Sequence, residues 1–190
     1  MKKWTWLVLI CAAAVSLVWA VQNHGLNPLY DRFSGGPYSL KISFDYPHGW
    51  RMRMEGGKVE SFTQTVFLGP RNAADTYTHT FVVRETPSAA GTLEQLKKKK
   101  IDHLYKDARV LSESRTTVDR GPAEEVVASY KIPPLALAGR KPLAVEIKSR
   151  MIFIQKGASI FELIYSADSG EFDANAKTFE HLIKSFRFSS

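Results

Sequence analysis

Apolar and polar positions along this chain follow two rhythms, one of period two and one of about 3.6, and these divide it into strands and helices. Tyr38–Tyr46 (YSLKISFDY) alternates, with Leu40, Ile42, Phe44 and Tyr46 on one face, and predicts a half-buried strand. Pro47-His48-Gly49 turns the chain. Trp50–Glu55 and Lys58–Leu68 read as strands around Gly56-Gly57, a hairpin signal, with Phe62, Val66 and Leu68 sharing one face of the second. After a loop at Gly69–Asp75, Thr78–Glu85 is another strand. Thr92–Asp107 predicts a helix with Thr92 as N-cap and Gln95 completing a capping box. Leu93, Leu96, Ile101 and Leu104 form its apolar side.

The second half repeats the alternation. Arg109–Val118 and Glu124–Ile132 are strands joined around Arg120-Gly121-Pro122, and Pro133–Pro142 is a loop. Along Leu143–Gln155, Val145, Ile147, Met151 and Phe153 face one way, and Glu146, Lys148 and Arg150 the other. Lys156-Gly157 turns into Ala158–Ser166, which is apolar on both faces except Glu162. That pattern places it centrally in a sheet. Phe172, Ala176, Phe179, Ile183 and Phe186 then recur at spacings of 4, 3, 4 and 3, an amphipathic helix. Glu171 and Asp173 in its first turn and Lys184 in its last suit the helix dipole. Short turns between strands favour antiparallel pairing, so the fold class is α+β, an antiparallel sheet flanked by helices.

The N-terminus follows neither rhythm. Lys2 and Lys3 precede Trp4–Val21, which is apolar apart from Thr5 and Ser16 and carries no charge. Met1–Ala20 therefore reads as a signal peptide cut after Val18-Trp19-Ala20, or as an uncleaved membrane anchor with tryptophans near both interfaces. Either reading puts the rest outside the cytoplasm, in the periplasm or at the outer face of the membrane. Val21–Pro37, rich in Asn, Gly and Pro, reads as a linker, and 38–190 as one folded domain.

Composition narrows the chemistry. The chain has 190 residues and a formal charge of +7, which falls to +5 without Lys2 and Lys3. No basic run interleaves with aromatics, so nucleic acid is not an expected partner. The single cysteine, Cys11, lies in the apolar leader, which excludes disulfides and cysteine chemistry from the domain. No phosphate loop, G-x-S-x-G or H-E-x-x-H motif is present. The five histidines, His24, His48, His79, His103 and His181, are scattered. Asp168, Glu171, Asp173 and Asn175 could hold calcium by oxygen content, but they open a helix, where capping accounts for them. Trp50 and Tyr165 read as core aromatics, the Tyr165 hydroxyl bonded at the rim. Lys97–Lys100 goes most of the way round its helix, and reads as a solvated face with one stem lying along the core. No catalytic, cofactor-binding or metal-binding residue is assigned.

Two stretches carry a resemblance. Tyr38–Trp50 (YSLKISFDYPHGW) resembles the opening strand and Y-P-x-x-W turn of the PsbP family, the extrinsic oxygen-evolving proteins of photosystem II and their bacterial relatives. Phe161–Phe188 (FELIYSADSGEFDANAKTFEHLIKSFRF) resembles that family's closing strand, helix and terminal S-F-x-F. Thr92–Leu96 and Gly121–Tyr130 are similar to the helix start and the strand between them. The resemblance implies a Mog1/PsbP-type fold and a non-enzymatic accessory role on a membrane protein complex. In a photosynthetic host it implies photosystem II, the thylakoid lumen and possible calcium association. The alternative expectation is a carrier of a small molecule or lipid in the groove between sheet and helix.

Overall fold

The computed structural model describes residues 29–56, 62–104, 107–133 and 144–189. The expected leader Met1–Ala20, His24, the turn residue Gly57, the start of the second hairpin strand at Lys58 and most of the Pro133–Pro142 loop lie outside them. Ten strands and two α-helices are described. The strands are β1 (Tyr30–Gly35), β2 (Lys41–Pro47), β3 (Arg51–Gly56), β4 (Thr63–Arg71) and β5 (Thr78–Pro87), then β6 (Arg109–Val118), β7 (Gly121–Ile132), β8 (Val145–Lys156), β9 (Ser159–Asp168) and β10 (Arg187–Ser189). The helices are α1 (Leu93–Asp102) and α2 (Ala176–Ser185). Among the described residues no helix is long and apolar enough to cross a membrane.

All strand pairs are antiparallel. A seven-stranded sheet runs in the order β3-β4-β5-β9-β8-β7-β6, and a three-stranded sheet in the order β1-β2-β10. β9 sits in the middle of the large sheet, as its two apolar faces require. Its odd residues, Phe161, Leu163 and Tyr165, enter one core with Phe44, Phe81, Phe179 and Phe186. Its even residue Ile164 enters a second core with Val126, Met151 and Phe153, under Leu93 and Ile101 of α1 and Leu104 just past its end. The molecule is thus layered: small sheet and α2, large sheet, α1. In the first core Phe44 stacks on Phe186 at 5.6 Å and Tyr165 on Phe179 at 5.4 Å. Burying each such ring stabilises the fold by about 1.5–3 kcal/mol.

Two expectations are corrected, the linker and the second hairpin turn, and two are extended. Tyr30–Gly35, inside the segment read as a linker, is strand β1, hydrogen-bonded along β2. Only Phe33 of that strand is buried, so its alternation is too weak to read from sequence. Phe62, Val66 and Leu68 do share a face, but the fully buried face of β4 carries Thr65 and Phe67. The turn between β6 and β7 is Asp119-Arg120, both at positive φ (47° and 64°), as a two-residue hairpin needs. Finally, the Ser-Phe-x-Phe end of the chain forms strand β10, because Phe188 packs on Phe161 while its backbone pairs with β2.

Two glycines matter to this packing. Gly36 has φ +97°, and a Cβ there would lie 2.9 Å from the Phe33 ring. It lets the chain reverse so that Tyr38 turns back to the sheet. Gly69 lies under Trp50, and a Cβ there would lie 2.6 Å from the indole. Trp50 packs against the first core, as expected from its place beside the Pro47 turn.

Candidate functional site

Most chemically capable side chains fall into separate networks that tie one element to another. At one end of the sheet, His79, which is 2% exposed, sets Nε2 at 2.9 Å from Glu171 Oε2. Glu171 Oε1 accepts from the Ala73 backbone N–H at 2.7 Å, and Asp168 Oδ2 from Asn72 Nδ2 at 2.9 Å. Asn72 Oδ1 in turn accepts from the backbone N–H groups of Thr76 and Tyr77. These carboxylates hold the loop between β4 and β5 and do not cap α2. A 3₁₀ turn, Asp173–Asn175, separates them from the helix start, and α2 has no side-chain cap. Asp173 instead pairs with Lys148 at 3.0 Å, and Asn175 Nδ2 donates to the Glu171 carbonyl. No group of three metal-ligating side chains stands together among the described residues. Tyr165, beside this cluster, is 1% exposed, and its hydroxyl bonds to none of the described residues, contrary to the expectation of a bonded rim hydroxyl. Burial pushes its pKa well up.

The other described histidines are apart from it. His48 lies 3.0 Å from Asp31 on the surface. His103 Nδ1 is 2.7 Å from the Lys99 carbonyl at the end of α1. His181 stacks on Tyr30 at 4.0 Å.

A second network surrounds Glu85 of β5. Its carboxylate accepts from the Ser39 N–H at 2.7 Å, from the Ser159 hydroxyl at 2.5 Å and from the Ser39 hydroxyl. Tyr38 lies beside it, its hydroxyl 2.6 Å from Thr65 Oγ1 and donating to the Val83 carbonyl at 3.1 Å. Burial raises the Tyr38 pKa to about 12. A cavity of about 690 Å³ opens here, between Pro37–Leu40, Pro87 and the Lys156–Ala158 turn. The serines are acceptor-fixed, and no histidine lines the cavity to take a proton from either. The arrangement pins the bend before β2 to the large sheet.

The third network lies under α1. One row of side chains crosses the sheet there: Gln64, Arg84, Glu162, Phe153 and Glu124, each opposite the next in register. The lysines of α1 stand over this row. Lys97 reaches Glu124 at 2.8 Å, Glu94 at 3.0 Å and Glu113 at 3.4 Å, its stem buried as the expected core-lying lysine. The bond to Glu124 holds its proton above the usual lysine range. Lys98 pairs outward with Asp102. Lys100 stands 3.7 Å from Glu162 Oε2, and burial pushes its pKa down. A groove of about 360 Å³ opens in front of this last pair. The sequence showed each of these residues but not their convergence, which joins positions far apart in the chain.

No family model matches the chain, and no curated protein matches it in sequence. Solved structures do match it. The cyanobacterial PsbP (CyanoP) of Synechocystis sp. PCC 6803 superposes at a TM-score of 0.54 with 15% identity, covering 86% of this chain and 95% of that one. The fold is Mog1/PsbP-like. LpqN of Mycobacterium tuberculosis, described as involved in cell envelope biogenesis, superposes at 0.50 with 13% identity, covering 85% and 92%. At these identities the likeness is one of fold, and it agrees with the α+β architecture and the flanked antiparallel sheet expected from the sequence.

Proposed function

We propose that this Mog1/PsbP-like chain is a non-catalytic accessory protein, exported by Met1–Ala20, whose domain docks on a membrane protein complex outside the cytoplasm. The observation that carries this reading is how the polar groups are used. His79 with Glu171, Glu85 with two serines, and Lys97 with three glutamates each fasten a loop or helix to the sheet. A nucleophile and base held ready for a substrate are organised differently, with the base free to move a proton. The apolar leader supports an address at the membrane, whether it is cut or kept as an anchor. LpqN, which has the same fold, is described as involved in cell envelope biogenesis, and that agrees with an address outside the cytoplasm. In a photosynthetic host the complex is photosystem II. Calcium association rests on the family resemblance alone.

The test uses the full chain, tagged at its C-terminus, expressed in its host and cross-linked before the membranes are solubilised. An integral membrane protein recovered at constant stoichiometry is the expected result. Recovery of none under cross-linking removes the proposal. N-terminal sequencing of the same material decides between cleavage after Ala20 and a retained anchor. The carrier alternative takes a narrower form, because the sheet–helix groove sets Arg84, Lys99, Lys100 and Glu162 beside Phe62, Leu96 and Leu104, a lining for a cargo with a charged end and not for a wholly apolar one.

A further inference from the structure

α1 is clamped to the sheet by two lysines three residues apart, and the two clamps differ. At Lys97 the contacts are closed, with three carboxylates within 3.4 Å of one ammonium. At Lys100 they are open. Glu162 is 5% exposed, yet its Oε2 takes part in no hydrogen bond among the described residues. Lys100 Nζ stands 3.7 Å from Oε2, and Arg84 Nη1 stands 3.9 Å from the other oxygen, Oε1; both are ion pairs longer than a hydrogen bond. Arg84 is held at that distance by others. Its Nη2 and Nε donate to Gln64 Oε1 at 2.8 and 3.1 Å, and its guanidinium lies 4.2 Å from the Phe62 ring centre. A buried carboxylate spaced away from both counter-charges is costly unless a polar group bridges the gap.

The groove of about 360 Å³ faces this gap. Its remaining walls fit a specific chemistry. Lys99 is on the rim, beside His103, while Leu96, Leu104 and Phe62 supply apolar surface. Three cations, Arg84, Lys99 and Lys100, face one carboxylate, so the lining carries an excess positive charge that a phosphate monoester balances in full and a phosphodiester in part. The unbonded Oε2 accepts and cannot donate, so the same ligand must bring a donor. The volume suits a small molecule.

We propose that this groove binds a small phosphate ester that carries a free hydroxyl. The phosphate lies between Lys99, Lys100 and Arg84, and the hydroxyl donates to Glu162 Oε2. Burial lowers the Lys100 pKa, and an arriving phosphate offsets that effect by favouring the charged ammonium. The source is either a soluble glycerophosphate-type ester or a glycerophosphate lipid headgroup. This site is independent of docking on a membrane complex, and neither proposal depends on the other.

The experiment uses the full chain in nanodiscs of neutral phosphatidylcholine, titrated with sn-glycerol 3-phosphate. Two readouts are taken: calorimetric affinity, and trace acylation of individual lysines read by mass spectrometry. Acylation of Lys99 and Lys100 slows by about fivefold or more at saturation, while outward-facing Lys98 is unchanged. Methyl phosphate, which has the charge without the carbon-borne hydroxyl, binds about tenfold more weakly. Lys99→Gln changes an exposed helix position, keeps the thermal unfolding of the wild type, and weakens glycerol 3-phosphate by about tenfold. Protection that includes Lys98, equal affinity for methyl phosphate, or unchanged affinity in K99Q each overturns the proposal. Nanodiscs containing phosphatidylglycerol identify the source. If they protect Lys99 and Lys100 without added ligand, the headgroup occupies the groove. If they do not, and glycerol 3-phosphate does, the ligand is the soluble ester.

Discussion

Replacing Tyr38 by phenylalanine removes one oxygen from the point where a bend and two strands meet. That hydroxyl lies 2.6 Å from Thr65 Oγ1 and donates to the Val83 carbonyl at 3.1 Å. Thr65 is fully buried, so its own hydroxyl loses a partner where water does not replace it. The expected loss near neutral pH is about 1–3 kcal/mol. The pH dependence gives a sharper test. Burial keeps the Tyr38 proton on up to about 12, against an ordinary value of 10.0. The unfolded chain releases that proton first, so the contribution of Tyr38 is complete below the ordinary tyrosine value and is lost as pH rises through the folded one. A difference of that size corresponds to between about 2 and 3 kcal/mol across the interval. Urea unfolding of wild type and Y38F, at constant ionic strength from about pH 8 to about pH 12, reads it directly. Other tyrosines and lysines titrate alike in both proteins and cancel in the difference. The stability gap should shrink by about 2 kcal/mol from the low end of that range to the high end. A gap that stays constant, or equal stability at the low end, refutes the placement of this hydroxyl.

Three further outcomes follow from the packing and the charges. Phe179→Ala, at a 1% exposed position stacked on Tyr165, should cost about 3–5 kcal/mol in thermal unfolding, and a cost under about 1 kcal/mol would contradict a close-packed first core. Gly69→Ala should destabilise by about 1–3 kcal/mol through contact with the Trp50 indole, and Trp50→Leu in the same chain should recover most of that loss. A double-mutant cycle with no coupling between the two positions speaks against the contact. Lys97→Met leaves Glu94, Glu113 and Glu124 facing one another, and should cost about 1–3 kcal/mol at neutral pH. The deficit should shrink in about 1 M salt, and a deficit that salt leaves unchanged means the lysine acts through its stem alone.

Several of these features were legible before any coordinates. The unbroken apolar run of β9 indicates burial on both faces, and it is the central strand. Thr92 and Gln95 announce a capping box, and both of its hydrogen bonds are present. The Phe172–Phe186 spacing marks α2, although the helix itself runs only over Ala176–Ser185 and buries Phe179 and Leu182, while Phe172 and Phe186 are buried just beyond its two ends. One core-lying lysine is expected from helix geometry, and the structure turns two of the four, Lys97 and Lys100, toward the sheet because of where α1 lands. β1 and β10 escaped notice because each contributes few buried side chains and owes its existence to pairing with β2. The face of β4 was missed for a related reason. Both its faces carry apolar residues, and Thr65, a polar residue, goes inside because Tyr38 is there to meet it.

Local pattern therefore determined what could be determined locally: the apolar leader with its two lysines, the period of each strand and helix, the Thr92–Gln95 capping box, and the α+β class. These depend on neighbours within one or two turns, where spacing alone sets which side chains share a face. Tertiary structure decided everything that depends on register between distant segments. It set Arg84 opposite Glu162, stood Lys100 over both, and left each cation at ion-pair distance but beyond a hydrogen bond. It also turned Asp168 and Glu171 from presumed helix caps into anchors for the 72–77 loop. A sequence reports the charge and reach of each side chain. The distance between two of them, which decides whether they form a closed clamp or an open site, exists only once the strands have paired.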